Sequence, residues 1–169
     1  TGATPFVPQV EGIRLPGVFT MRTPDDAIAL RAYVQDRHCR SAVVVGAGFI
    51  GLEIAENLQA QGLAVTVIDA ADQILPKIFD PEMAGYARRR LRQNGIRVLT
   101  GTPLSEITGT ERADGVLAGG SRIGADLVVL AIGIRPATTF LDGSGLAMEK
   151  GAIVVDEMMR TNIPDVYAA

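Results

Sequence analysis

An α/β fold is predicted, a parallel sheet with helices on both faces and a small antiparallel β-meander as one crossover, and three observations predict it. Short apolar runs rich in β-branched residues recur at 42–45, 64–68, 96–99 and 126–132, as in strands buried on both faces of a sheet. Stretches with helical spacing and clear start and stop chemistry separate the first three of them. Between 104 and 123 the pattern breaks into short segments set apart by Asp114-Gly115 and Gly119-Gly120, the punctuation of antiparallel turns.

The chain has 169 residues, 47% of them hydrophobic, and a net charge of −3. That suffices for one domain with a sizeable core. The charge balance argues against a nucleic-acid or anionic-membrane surface. Arg88, Arg89, Arg90 and Arg92 form the one basic cluster, and on a helix they read as a solvated face. No apolar run reaches the length of a membrane span, and the start carries no signal-peptide pattern, so a cytoplasmic location is the default expectation. Cys39 is the single cysteine, which excludes a disulfide or a cysteine pair within the chain. Beside His38 it suggests metal binding, but two adjacent residues fall short of the four converging ligands a metal needs. No metal site and no catalytic residue is therefore expected.

In order, prolines at 5 and 8 exclude a helix or a central strand at the start. Residues 18–22 read as a strand. Thr23-Pro24-Asp25-Asp26 opens a helix to about Arg37, with Thr23 as cap, Pro24 in the first turn and two acids at the positive end of the dipole. The stretch from Ser41 to Asp69 is a β-α-β unit: strand 42–45, a glycine turn, a helix from Phe49 to Gln61 stopped by Gly62, and a strand 64–68 ending on Asp69. A second helix runs from Pro81 to Gln93, capped by Asp80 and closed by Asn94-Gly95. Strand 96–99, the meander and strand 126–132 follow. Residues 138–146 read as a short helix or loop, 152–155 as a strand, and Val166-Tyr167-Ala168-Ala169 as the beginning of another.

The glycine turn carries the chemistry. In a Gly-x-Gly-x-x-Gly between strand and helix, Gly46 permits the tight exit, Gly48 leaves room for a pyrophosphate, and Gly51 lets the helix pack closely. The phosphates would meet unpaired amides at the helix N-terminus. Asp69 stands where a carboxylate accepts hydrogen bonds from an adenosine ribose and would repel a 2′-phosphate. The first cation after it is Lys77, which favours NAD(H) over NADP(H). The pattern is that of a Rossmann-like dinucleotide site. Gly133, at the carboxyl end of the most hydrophobic strand, is placed for close approach of a cofactor or for an ordinary turn.

These residues resemble a known family over essentially the whole chain: the NAD(H)-binding domain of the FAD-dependent pyridine nucleotide-disulfide oxidoreductases, especially the NADH oxidase and coenzyme A-disulfide reductase branch. Four stretches carry the likeness: Thr1-Gly2-Ala3 with Pro5 and Pro8, Gly46 to Glu53 with the acid at 69, Gly133-Ile134-Arg135-Pro136, and Thr161 to Ala169. The resemblance implies that Gly46, Gly48, Phe49, Ile50 and Gly51 bind pyrophosphate, Asp69 the adenosine ribose, and Gly133 the ribose or nicotinamide end. It places Glu53 near the nicotinamide where that ring meets flavin. By spacing alone Glu53 is an acid near a helix start.

The likeness also implies an excised domain: 1–22 as the passage from a FAD domain, 23–150 as the NAD(H)-binding unit, and 151–169 as the passage back. The FAD domain, the redox-active cysteine and the dimerisation domain of a homodimeric parent would lie elsewhere, and the fragment alone would bind NADH without catalysis. Two other readings stay open at this point, a glycine turn that binds FAD and a nucleotide-sensing module without a redox partner.

Overall fold

The computed structural model describes residues 2–169, so Thr1, which opens the first stretch of the family likeness, lies outside the described residues. In chain order the elements are β1 (Ala3–Pro5), β2 (Val18–Thr20), α1 (Pro24–Asp36), β3 (Ser41–Val45), α2 (Phe49–Ala60), β4 (Ala64–Ile68), α3 (Pro81–Gln93) and β5 (Arg97–Leu99). They continue with β6 (Leu104–Gly109), β7 (Ala113–Ala118), β8 (Ser121–Gly124), β9 (Leu127–Leu130), β10 (Ile134–Pro136), a 3₁₀ turn at Thr139–Leu141, β11 (Met148–Glu149) and β12 (Ala152–Ile153). Two compact units result, Pro5–Gly133 and residues 134–169 with 2–4.

In the larger unit five strands lie in the order β2-β9-β3-β4-β5, every neighbouring pair parallel. Alternation sorts their side chains. Ala42, Val44, Val65, Val67, Leu127 and Val129 point to one face, and Val43, Val45, Ile68, Val128 and Leu130 to the other. Both sets are buried, which is why the sequence shows continuous apolar runs. Each buried Val, Leu or Ile among them contributes about 1.5–3 kcal/mol of transfer free energy.

All three helices pack on the first face, through Leu30 and Val34 of α1, Ile54, Ala55 and Leu58 of α2, and Ala84 and Leu91 of α3. The expected parallel α/β sheet and meander are both present, and the finer detail is that helices occupy one face only. Connection handedness explains it. The steps from β2 past β9 to β3, then to β4 and β5, all advance in one direction across the sheet, and right-handed crossovers in one direction leave their helices on one face. Only the return from β5 to β9 lies on the second face, and there the antiparallel β6-β7-β8 sheet covers Val43, Val45, Val128 and Leu130 with Ile107, Val116 and Ala118.

The meander corrects one turn assignment. Asp114-Gly115 lies inside β7, and the turn falls at 110–112. Asp114 is held in the strand because Thr108 Oγ1 donates to its Oδ1, as does Arg122 Nη2 at 2.9 Å. Helix starts match their cap chemistry. Asp26 N donates to Thr23 Oγ1 at 3.3 Å while Asp26 Oδ2 accepts from Thr23 N at 2.7 Å, a reciprocal capping box. Asp80 Oδ1 accepts from Met83 N at 2.8 Å. No described helix is long and apolar enough to cross a membrane.

The smaller unit holds a two-stranded β1-β10 sheet and the β11-β12 hairpin. The strand expected from Val166 reduces to a single antiparallel bridge of Tyr167 with Arg160. Thr161 N and Oγ1 both donate to Val166 O, at 3.0 and 2.9 Å, a local turn that takes the acceptor a longer strand would use.

Candidate functional site

The order of strands locates the site. From β3 the chain steps outward through β4 and β5, then returns to β9 on the other side of β3. The carboxyl ends of β3 and β9 therefore flank the point where strand order reverses, the place where open α/β sheets hold ligands.

Gly46 leaves β3 at that point with φ +110°. Its N–H donates to Ile68 O at 2.8 Å, and Ala131 N donates to Val45 O at 2.7 Å, so the exits of three strands are tied together. A Cβ on Gly46 would sit 2.7 Å from the carbonyl carbon of Ala131 and overlap its oxygen. Gly51, in the first turn of α2, has no more room, since a Cβ there would overlap the carbonyl oxygen of Gly46. Gly48 differs. It caps α2 with extended backbone and no side-chain hydrogen bond, and a Cβ on it would meet no atom within 4 Å. Open space thus stands before uncapped helix amides, where the dipole favours an anion. Phe49 and Ile50 flank that space, both exposed.

Asp69 directly follows β4 and is half-buried. Its Oδ2 accepts from Ala47 N at 2.6 Å and its Oδ1 from Ala71 N at 2.8 Å. Each oxygen keeps a lone pair, enough to accept from a ribose hydroxyl. The carboxylate therefore has a second task beyond any ligand contact, which is to fix the middle of the glycine turn. Leu75 N completes that grip by donating to Ala47 O at 3.0 Å. Sequence reasoning missed Ala47, Leu75 and Ala131, which act through backbone atoms; the apolar pair Ile74-Leu75 inside a polar loop, buried here, was the available signal.

Gly133 lies beyond β9 with φ +110° and open space at its Cβ position, and its carbonyl accepts from Phe6 N at 2.9 Å. Gly46, Gly48, Phe49, Ile50, Gly51, Asp69 and Gly133 thus share the carboxyl edge of the sheet. Glu53 lies about one turn into α2 and is exposed. It lines a groove of about 290 Å³ with Leu30 and Arg31 of α1, and its Oε1 accepts from Asn57 Nδ2 at 3.4 Å.

Cys39 follows α1 just before β3. Burial, and next the nearby Asp126 carboxylate, push its thiol above the usual range, so it is a poor nucleophile. It packs half-buried against the helix-side core, whereas His38 is exposed. The four arginines of α3 are exposed as well.

Known proteins share this architecture. The family profile described as pyridine nucleotide-disulphide oxidoreductase matches residues 1–169. An NADH oxidase of Methanocaldococcus jannaschii is 42% identical across 99% of this chain. Only 38% of that relative is covered, so the chain spans well under half the length of the curated relative it matches. An NAD-dependent persulfide reductase from A. fulgidus superposes with TM-score 0.92 at 38% identity, over 99% of this chain and 31% of that one. The engineered water-forming NADPH oxidase bound to NADPH, a five-site mutant of an NADH oxidase, superposes with TM-score 0.88 at 30% identity, over 98% and 36% of the two chains. Its parent is the Lactobacillus brevis NADH oxidase, solved bound to NADH.

Proposed function

The chain belongs to the pyridine nucleotide-disulphide oxidoreductase family, and from that premise we propose that its carboxyl edge holds NADH and presents the nicotinamide for hydride transfer to FAD in a longer flavoenzyme. The cofactors supply the redox chemistry, a hydride leaving the nicotinamide for the flavin ring. The residues of this chain bind and orient. The amides that open α2 and the empty space at Gly48 take the pyrophosphate. Asp69 accepts from the adenosine ribose while its bonds to Ala47 and Ala71 keep the turn in shape. Gly133 lets the nicotinamide end approach the backbone, and Glu53 on the α1-facing side of α2 marks where flavin would meet it. Residues 1–22 and 151–169 are passages to the FAD domain, which is the partner of this unit within a homodimeric parent.

The single observation that carries this reading is the glycine turn at the strand-order reversal, clasped by an acid that still has acceptor capacity. It favours NADH over NADPH, because a 2′-phosphate beside Asp69 would meet a carboxylate, with no Lys or Arg in the residues that follow it before Lys77. The engineered NADPH oxidase supports the same assignment. Its replaced glycine, aspartate, alanine, methionine and proline fall, at the same spacing, on Gly51, Asp69, Ala70, Ala71 and Pro76. Calorimetric titration with NADH and NADPH side by side tests the proposal. Saturable NADH binding with NADPH weaker by about tenfold or more is expected, the scale of one lost charge-compatible contact; equal affinities would refute the role of Asp69.

A further inference from the structure

On the meander face of the sheet, away from α2 and the glycine turn, β4 and β5 form one wall of a recess of about 420 Å³ and the β7-β8 hairpin forms the other. We propose that this recess is a second ligand site, which takes the phosphate group of a small phosphomonoester. Its lining includes Arg97 and Arg122, the hydroxyl residues Thr66, Thr102 and Ser121, and no Asp or Glu.

In a chain of net charge −3 a recess lined by two arginines, only one of which is paired with a carboxylate, runs against the overall balance. Arg97 lies directly beside Thr66 in the β4-β5 register, so the two side chains share a face. It is exposed and makes no ion pair among the described residues. Arg122 is held from behind, its Nη2 donating to Asp114 Oδ1 at 2.9 Å and to Asp114 O at 3.2 Å. A guanidinium has five N–H donors, so the rest of the fork stays available. Neither Thr66 Oγ1 nor Ser121 Oγ is bonded to another group among the described residues.

Two arginines with hydroxyl donors suit a tetrahedral dianion, which accepts several charge-assisted hydrogen bonds at once. The volume lies within the range of small-molecule sites and exceeds what bare phosphate fills, hence a phosphate ester. Thr66 precedes Asp69 by about 10 Å of strand, and Asp69 is not among the residues that line the recess.

The test is amide and arginine Nε NMR of the ¹⁵N-labelled chain, titrated with inorganic phosphate, with glycerol 3-phosphate and, at matched ionic strength, with chloride. Saturable shifts at Thr66, Arg97 and Ser121 are expected with both phosphates, tighter for the ester, and absent with chloride. Arg97→Ala should weaken the ester by about tenfold, as expected for one charge-assisted pair, and Arg97→Lys should fall between. NADH titrations of both variants should match the parent chain, a readout that shows they remain folded. Shifts confined to Gly46–Gly51, equal response to chloride, or unchanged affinity in both variants would overturn the proposal.

Discussion

Replacing Gly46 and Gly48 in turn by alanine separates architecture from binding. At Gly46 the backbone has φ +110°, which costs an L-residue about 1–3 kcal/mol. The new Cβ would also overlap the Ala131 carbonyl, and relieving that overlap means parting the exits of β3 and β9, a further cost of about 1–3 kcal/mol. Gly46→Ala should therefore lose roughly 2–6 kcal/mol, a large share of the 5–15 kcal/mol typical of a domain. Gly48 has extended backbone, φ −81° and ψ −179°, with no atom within 4 Å of a new Cβ. Gly48→Ala should cost at most about 1 kcal/mol, through the weaker helix cap. Its methyl group would instead stand where the pyrophosphate approaches. Urea unfolding followed by circular dichroism reads the first effect, and calorimetric NADH titration reads the second. The expected pattern is a destabilised Gly46→Ala beside a Gly48→Ala of near-parental stability whose NADH affinity falls by about tenfold or more. Equal stability loss in the two variants, or full NADH affinity in Gly48→Ala, would refute the division of roles.

Other perturbations follow from the same contacts. Asp69→Asn keeps one carbonyl oxygen for two amide donors, so it should lose about 1–3 kcal/mol and narrow the preference for NADH, both read by denaturation and titration. Asp126 is exposed, and its Oδ2 accepts from Arg40 N, Ser41 N and Ser41 Oγ, at 2.9, 2.9 and 2.8 Å. Partial burial opposes ionisation, but the Arg40 amide and the Ser41 hydroxyl and amide outweigh it and hold the carboxyl below the usual carboxylate range. A depressed native pKa contributes stability that is full above the unfolded value and is lost as pH falls through the folded one. Asp126→Asn should thus cost on the order of 1 kcal/mol at pH 7, and the gap from the parent chain should shrink below about pH 4, as urea midpoints at several pH values would show. Gly51→Ala would have to push α2 off the Gly46 carbonyl, and should weaken NADH more than it alters the secondary structure seen by circular dichroism.

Much of this was legible in the sequence because the deciding interactions are local. α3 spans Pro81–Gln93, as its Asp80-Pro81 start and Asn94-Gly95 stop dictate, and β4 spans Ala64–Ile68 as its apolar run does. Glycine spacing and the acid at the strand tip likewise pointed to the carboxyl edge of the sheet, where the proposed site is placed. What could not be read depends on distant partners. Asp114-Gly115 has turn chemistry, yet the Thr108 and Arg122 side chains bond Asp114 within β7. The grip of Ala47 by Asp69 and Leu75 runs through backbone groups that every residue type offers. Helices on one face follow from strand order, which no single segment encodes.

The most direct test of the central claim is to map NADH onto the chain by its effect on backbone amide resonances. If the carboxyl edge holds the dinucleotide, shifts are expected at Gly46–Gly51, at Ala71 and at Gly133, saturating together with a single affinity. A folded chain whose amides at those positions stay unmoved by NADH, or move only at the Arg97 recess, would contradict it.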